Sequence, residues 1–112
     1  MFRRILFLIA IAYATASPAW SRETAKEEME RLKEALTTRM ESQGKTVDPE
    51  NLIKLYALFK QATVGDKPAD LSAGMDPKKH VLHAAWAKIA GMPIATAVAQ
   101  YKAIVKALGD VE

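Results

Sequence analysis

Asp-Pro occurs twice in this chain, at Asp48-Pro49 and Asp76-Pro77, and each pair opens a run with helical period. An aspartate ahead of a helix accepts from the first free backbone N–H groups. A proline at the first helical position gives up a donor that had no partner anyway. Such a pair therefore fixes where a helix begins. After Asp48-Pro49, Glu50 suits the positive end of the dipole, and "LIKLYALFKQATV" continues until Gly65 stops it. After Asp76-Pro77, Val81, Leu82, Ala85, Trp86 and Ile89 form a stripe that Gly91 ends.

Two further segments share the period. From about Glu23 to Ser42, Met29, Leu32, Leu36 and Met40 recur at three- and four-residue spacing, and Gly44 terminates the run. Glu27, Glu30, Lys33, Glu34, Arg39 and Glu41 lie between them and read as a solvated face. Pro93 opens the fourth segment, in which Ile94, Ala97, Val98, Tyr101, Ile104, Val105 and Leu108 face one way until Gly109. "GDKPADLSAGM" is a loop. No run alternates with period two, so no strand is expected. The expected fold is an all-α bundle of four helices.

The N-terminus reads differently. "MFRRILFLIAIAYATASPAWS" places Arg3 and Arg4 ahead of an apolar run and then small residues, the layout of an export signal. Cleavage is expected after Ala16 or Ser21, which divides the chain into an export segment, 1–21, and a helical domain, 22–112. The alternative is an uncleaved anchor, although the apolar run is short for a membrane span. Cleavage also changes the charge argument. The whole chain carries 16 basic and 13 acidic residues. Losing Arg3 and Arg4 with no acid leaves 14 against 13, a net charge of +1. The basic balance belongs to the signal and gives no ground for nucleic-acid binding. With no cysteine there is no disulfide, thiol nucleophile or thiolate-bound metal.

The second helix raises a chemical question. Leu52, Tyr56, Lys60 and Thr63 share a ridge flanked by Leu55 and Phe59. A lysine there either snorkels to water or meets an anion. The residues alone leave both open.

"LYALFKQATVGD" resembles the signature of the acyl-CoA-binding protein family, a Tyr-x-x-aromatic-Lys-Gln-Ala-Thr-x-Gly-Asp run on the second helix. Trp86 falls, without a gap, on the second tryptophan of that family's Lys-Trp-x-x-Trp pattern. Tyr101 falls on its ligand-contacting tyrosine. The resemblance implies an up-down-down-up four-helix bundle that holds one long-chain acyl-CoA ester. It implies Lys60 as the contact to the ribose phosphate, and Tyr56 and Tyr101 as aromatic contacts. It further implies that Leu52 and Ile53 touch the acyl chain in an apolar groove. With the export layout, it implies an exported, bacterial member of the family, periplasmic or secreted.

There are departures. The family's second lysine and first tryptophan stand here as Leu82 and His83. Lys78 and Lys79, or a protonated His80 or His83, are candidate replacements for the lost cation. The second aromatic of the signature is Phe59, so one hydroxyl is missing. The family's Arg-Pro-Gly loop segment is absent. The candidate ligand residues are therefore Tyr56, Lys60, Tyr101, Leu52, Ile53, Phe59, Lys79 and His83.

His80 and His83 lie three apart, but only Asp76 is near them at ligand spacing. There is no nucleophile elbow and no glycine-rich phosphate loop. The expectation is a monomeric, non-catalytic carrier of medium- to long-chain acyl-CoA, with no metal, no nucleic acid and no stable membrane insertion after cleavage. The alternative is an exported helical module that binds free fatty acid, lysolipid or a protein partner on the same scaffold.

Overall fold

A computed structural model of the chain describes residues 20–109. The export segment lies outside the described residues except for Trp20 and Ser21. Four helices follow one another: α1, Arg22–Ser42; α2, Pro49–Thr63; α3, Pro77–Lys88; and α4, Ile94–Gly109. No strand occurs among the described residues.

Each helix start has a local cause. Asp48 accepts from the Asn51 N–H at 3.2 Å, and Asp76 from the Lys78 N–H at 2.9 Å, with proline at the first position of each helix. α1 begins one residue earlier than its apolar stripe suggests, because Ser21 caps it. The Ser21 Oγ accepts from the Thr24 N–H at 3.0 Å, and the Ser21 N–H donates to the Thr24 hydroxyl at 3.1 Å. This is a capping box with threonine in the position usually held by Glu or Gln. Trp20 packs on the core just ahead of it. Trp20 and Ser21 thus belong structurally with the helices, although the sequence division puts them in the export segment. α4 has no side-chain cap, and the Pro93 carbonyl accepts from the Ala97 N–H at 3.0 Å.

Helix directions follow from where the ends meet. The Arg22 guanidinium, at the start of α1, donates to the Gln61 and Ala62 carbonyls at the end of α2. Met92, leading into α4, accepts from Gln61 as well. α1 and α4 therefore both run against α2. The Trp86 indole N–H, near the end of α3, donates to the Gly65 carbonyl just past the end of α2 at 2.8 Å. α2 and α3 are thus parallel, and residues 64–76 run back along their length. The bundle is up-down-down-up.

The core is built by three helices. α1, α2 and α4 pack on one another, whereas α3 packs on α2 alone. Met29 and Leu32 of α1 and Val105 of α4 are fully buried, joined by Leu36, Leu55, Leu58, Val98 and Tyr101. The stripe expected on α3 is correspondingly narrow. Trp86 is buried, but Val81 is 50% exposed and Leu82, Ala85 and Ile89 are half-buried. A helix with one partner has only one seam to fill.

Of the glycines at positive φ, Gly65 is the one with close neighbours. Its φ is +108°, and a Cβ there would lie 3.0 Å from the Arg22 guanidinium, which is already engaged with the α2 carbonyls. Gly65→Ala is expected to lower unfolding free energy by about 1–2 kcal/mol, the scale of forcing an L-residue to positive φ. Urea titration of the two proteins measures this, and an unchanged midpoint would contradict it.

Candidate functional site

α1, α2 and α4 leave a cavity of about 390 Å³ between them. Leu52, Leu55, Tyr56 and Phe59 of α2 form one wall, and Leu36 and Val47 extend its apolar surface. Tyr101 of α4 backs it, and Glu30, Lys33 and Thr37 of α1 line the remaining side. The volume is within the range of small-molecule sites, and the lining mixes apolar surface with a few polar groups as such sites do.

The positions of these side chains follow from helix geometry. Residues 52, 55, 56 and 59 are spaced three or four apart, so they present one face of α2. Leu52 is 52% exposed and stands at the cavity mouth. Tyr101 is 2% exposed. Burial, with a smaller contribution from the Glu30 carboxylate, pushes its phenol up to about 12. Burial also raises the Tyr56 phenol.

Lys60 is half-buried at the seam between α2 and α3. Its Nζ lies 5.8 Å from the Tyr56 ring centroid and 5.8 Å from the Trp86 ring centroid. These are cation–π distances, and Lys60 has no carboxylate partner among the described residues. Trp86 is held for this contact by its bond to Gly65. His83 meets Trp86 edge-on, with ring centroids 6.3 Å apart, and its Nδ1 is buried without a partner. Tyr56, Lys60, Trp86 and His83 thus form a continuous aromatic and cationic strip, which joins the cavity at Tyr56.

Two sequence candidates fall elsewhere. Ile53 lines a second, larger cavity of about 580 Å³ between α2, α3 and α4, with Ala57, Leu58, Val81, Ala85 and Ile104. Leu52 and Ile53 are separated because successive helical residues point about 100° apart. Lys79 is exposed and lines neither cavity. His80 is occupied, with Nε2 2.9 Å from the Gly74 carbonyl oxygen. No group of three potential metal ligands occurs among the described residues, and no helix there is long and apolar enough to cross a membrane.

The sequence also left two roles unread. The second half of the signature serves the frame. The buried Gln61 amide donates to the Asp66 carboxylate at 2.7 Å and to the Met92 carbonyl at 3.3 Å. The same Asp66 oxygen accepts from the Gly91 N–H at 2.8 Å. These bonds, the Gln61 amide first, hold the Asp66 carboxyl below its usual range. Glu30 is the other omission. It was read as part of a solvated face, and it is exposed as read, but it also borders the cavity. The spacing of Glu30, Lys33 and Thr37 was the available signal, since it places them on one strip beside the apolar stripe.

A long helical signature, a tryptophan tied to the end of that helix and a tyrosine-backed cavity together define a four-helix bundle with a candidate small-molecule site. The sequence model described as Acyl CoA binding protein matches residues 23–105, and the chain belongs to that family. It is 41% identical over 59 residues to "Acyl-CoA-binding protein homolog 1" of Caenorhabditis elegans, a match covering 53% of this chain and 69% of that protein. No solved structure matches the chain.

The buried phenol yields a pH prediction. An unfolded tyrosine ionises near about pH 10, whereas folded Tyr101 holds its proton to about 12. Its contribution is fully present below pH 10 and is lost as pH rises from 10 to 12, where only the unfolded state ionises it. In urea unfolding, the wild type should lose up to about 1.4 kcal/mol per pH unit more than Tyr101→Phe across that window. Below pH 9 the two pH profiles should run parallel. Parallel profiles up to pH 12 would show that Tyr101 is not buried in solution.

Proposed function

We propose that the chain binds one fatty acyl-CoA ester of medium to long chain and carries it without chemical change. The observation that carries this reading is the strip formed by Tyr56, Lys60 and Trp86 at the edge of an apolar, tyrosine-backed cavity. Lys60 is oriented by two rings and has no carboxylate partner among the described residues, so its charge is available to a phosphate. Such a contact is a charge-assisted bond. Tyr56 offers a face for adenine stacking. Leu52, Leu55 and Phe59 supply apolar surface for the first part of an acyl chain, with Tyr101 behind them. Family membership supports the same ligand class.

Binding of free fatty acid or lysolipid is the second reading. One observation favours it: Leu82 stands where the family pattern has a cation. Export of the chain as a monomer is also proposed, on the Arg3-Arg4 start and the Ala14-Thr15-Ala16 site. Because Ser21 caps α1 and Trp20 packs on the core, cleavage after Ala16 leaves the helical domain whole. Intact-mass measurement of the chain from a secreting host should give a product beginning at Ser17. Retention of Met1 in a membrane fraction would favour an anchor.

Calorimetry with palmitoyl-CoA should show one-to-one binding. A hundredfold excess over the dissociation constant should raise stability by about 2.7 kcal/mol. Lys60→Ala should weaken binding by about 1.5–3 kcal/mol, the scale of a hydrogen bond to a charged group. The loss should shrink for an acyl-CoA lacking the ribose phosphate. Equal affinities for wild type and variant would place the phosphate elsewhere. Binding of free fatty acid alone would establish the second reading.

A further inference from the structure

The α1 side of the Tyr56–Tyr101 cavity carries two opposite charges one helical turn apart, Glu30 and Lys33. Both are exposed, so their charges are screened but not lost. Glu30 forms no hydrogen bond or ion pair among the described residues, and it is close enough to Tyr101 to oppose ionisation of that phenol. A phosphate entering the cavity therefore meets like charge at Glu30. A cationic group entering it meets the carboxylate in a wall that also includes the rings of Tyr56, Phe59 and Tyr101. Ammonium and quaternary ammonium groups bind such combinations of carboxylate and aromatic surface.

Resting on the cavity as the ligand site proposed above, we propose that Glu30 sets the cavity's preference for headgroup charge. It disfavours purely anionic headgroups and favours zwitterionic ones, whose phosphate can turn to Lys33 or Lys60 while the cation turns to Glu30. The ligand class that fits this wall is a single-chain amphiphile with a phosphate and an ammonium group. Repulsion built against one ligand class is as effective a source of selectivity as attraction to another.

The test compares dodecyl phosphate with dodecylphosphocholine, which share one chain and differ in headgroup charge. Both are titrated into the chain at low ionic strength, below micelle formation, alongside palmitoyl-CoA. Glu30→Gln should shift the affinity ratio towards dodecyl phosphate by about two- to tenfold, a screened charge–charge effect. It should also tighten palmitoyl-CoA binding, and the shift should shrink with added salt. Glu34→Gln, one turn further along α1 and outside this cavity, is the control for net charge and should leave the ratio where it is. Because Glu30 is exposed and repelled by Glu34, its replacement should not cost folding, and a thermal melt verifies this. An unmoved ratio in Glu30→Gln, or an equal movement in Glu34→Gln, overturns the proposal. A shifted ratio with no palmitoyl-CoA binding by any variant would sustain the role of Glu30 while removing acyl-CoA as the ligand. If none of the three ligands binds, both proposals fall.

Discussion

All four helices are tied together around one buried amide, Gln61. Its side chain reaches Asp66 after α2 and Met92 before α4, while its backbone carbonyl accepts from Arg22 at the start of α1. Asp66 in turn holds the Gly91 N–H after α3. Burying an amide is costly unless its hydrogen bonds are made. Here the donor side is satisfied twice, while Oε1 has no partner. The directions of those bonds also fix which way the amide faces, since both its partners are acceptors. The arrangement brings four helix ends to one place in a bundle whose middle helices run parallel. Without it, the long connection over residues 64–76 would leave α3 held by a single helix face.

The cavity depends on that frame. α3 touches only α2, so its position is set by the seam and by the Trp86–Gly65 bond. Trp86 is both the anchor of α3 and one of the two rings over Lys60. The signature on α2 therefore has two functions divided along its length. Tyr56, Phe59 and Lys60 face the cavity and its edge. Gln61, Gly65 and Asp66 secure the helix ends. A change at Gln61 or Gly65 would reach the cavity edge indirectly, through the placement of Trp86.

Much of this was legible in the sequence. Asp48-Pro49 and Asp76-Pro77 located two helix starts because an aspartate cap and a first-turn proline act locally. The stripes on α1 and α4 were correct because those helices face two partners each. The stripe on α3 was overdrawn, since periodicity reports apolar spacing and not how many partners a helix meets. Leu52 and Ile53 line different cavities, since neighbours in sequence are not neighbours around a helix. Glu30 was read correctly as exposed, but that it also borders a cavity depends on the facing helix, which the sequence does not show. Gln61 and Asp66 were quoted as signature residues without a role. Their roles come from contacts 25 and 31 residues apart, which no local pattern contains.

The opening chemical question, why a lysine should sit beside aromatics on an inner face, has a physical answer in the two rings. A buried ammonium paired with a carboxylate would have its charge spent inside the protein. A cation held over aromatic faces is stabilised by their quadrupoles and keeps its hydrogen-bond donors free. The rings also restrict a side chain with high rotamer entropy, so part of the ordering cost is met before any ligand arrives. Lys60 is thus a preorganised cation at the seam beside the cavity, with no carboxylate partner among the described residues, whereas Glu30, in the cavity wall, is an anion with no ion pair among them. Charges of opposite sign therefore stand in the wall and at the edge of one cavity, each placed by the helix that carries it.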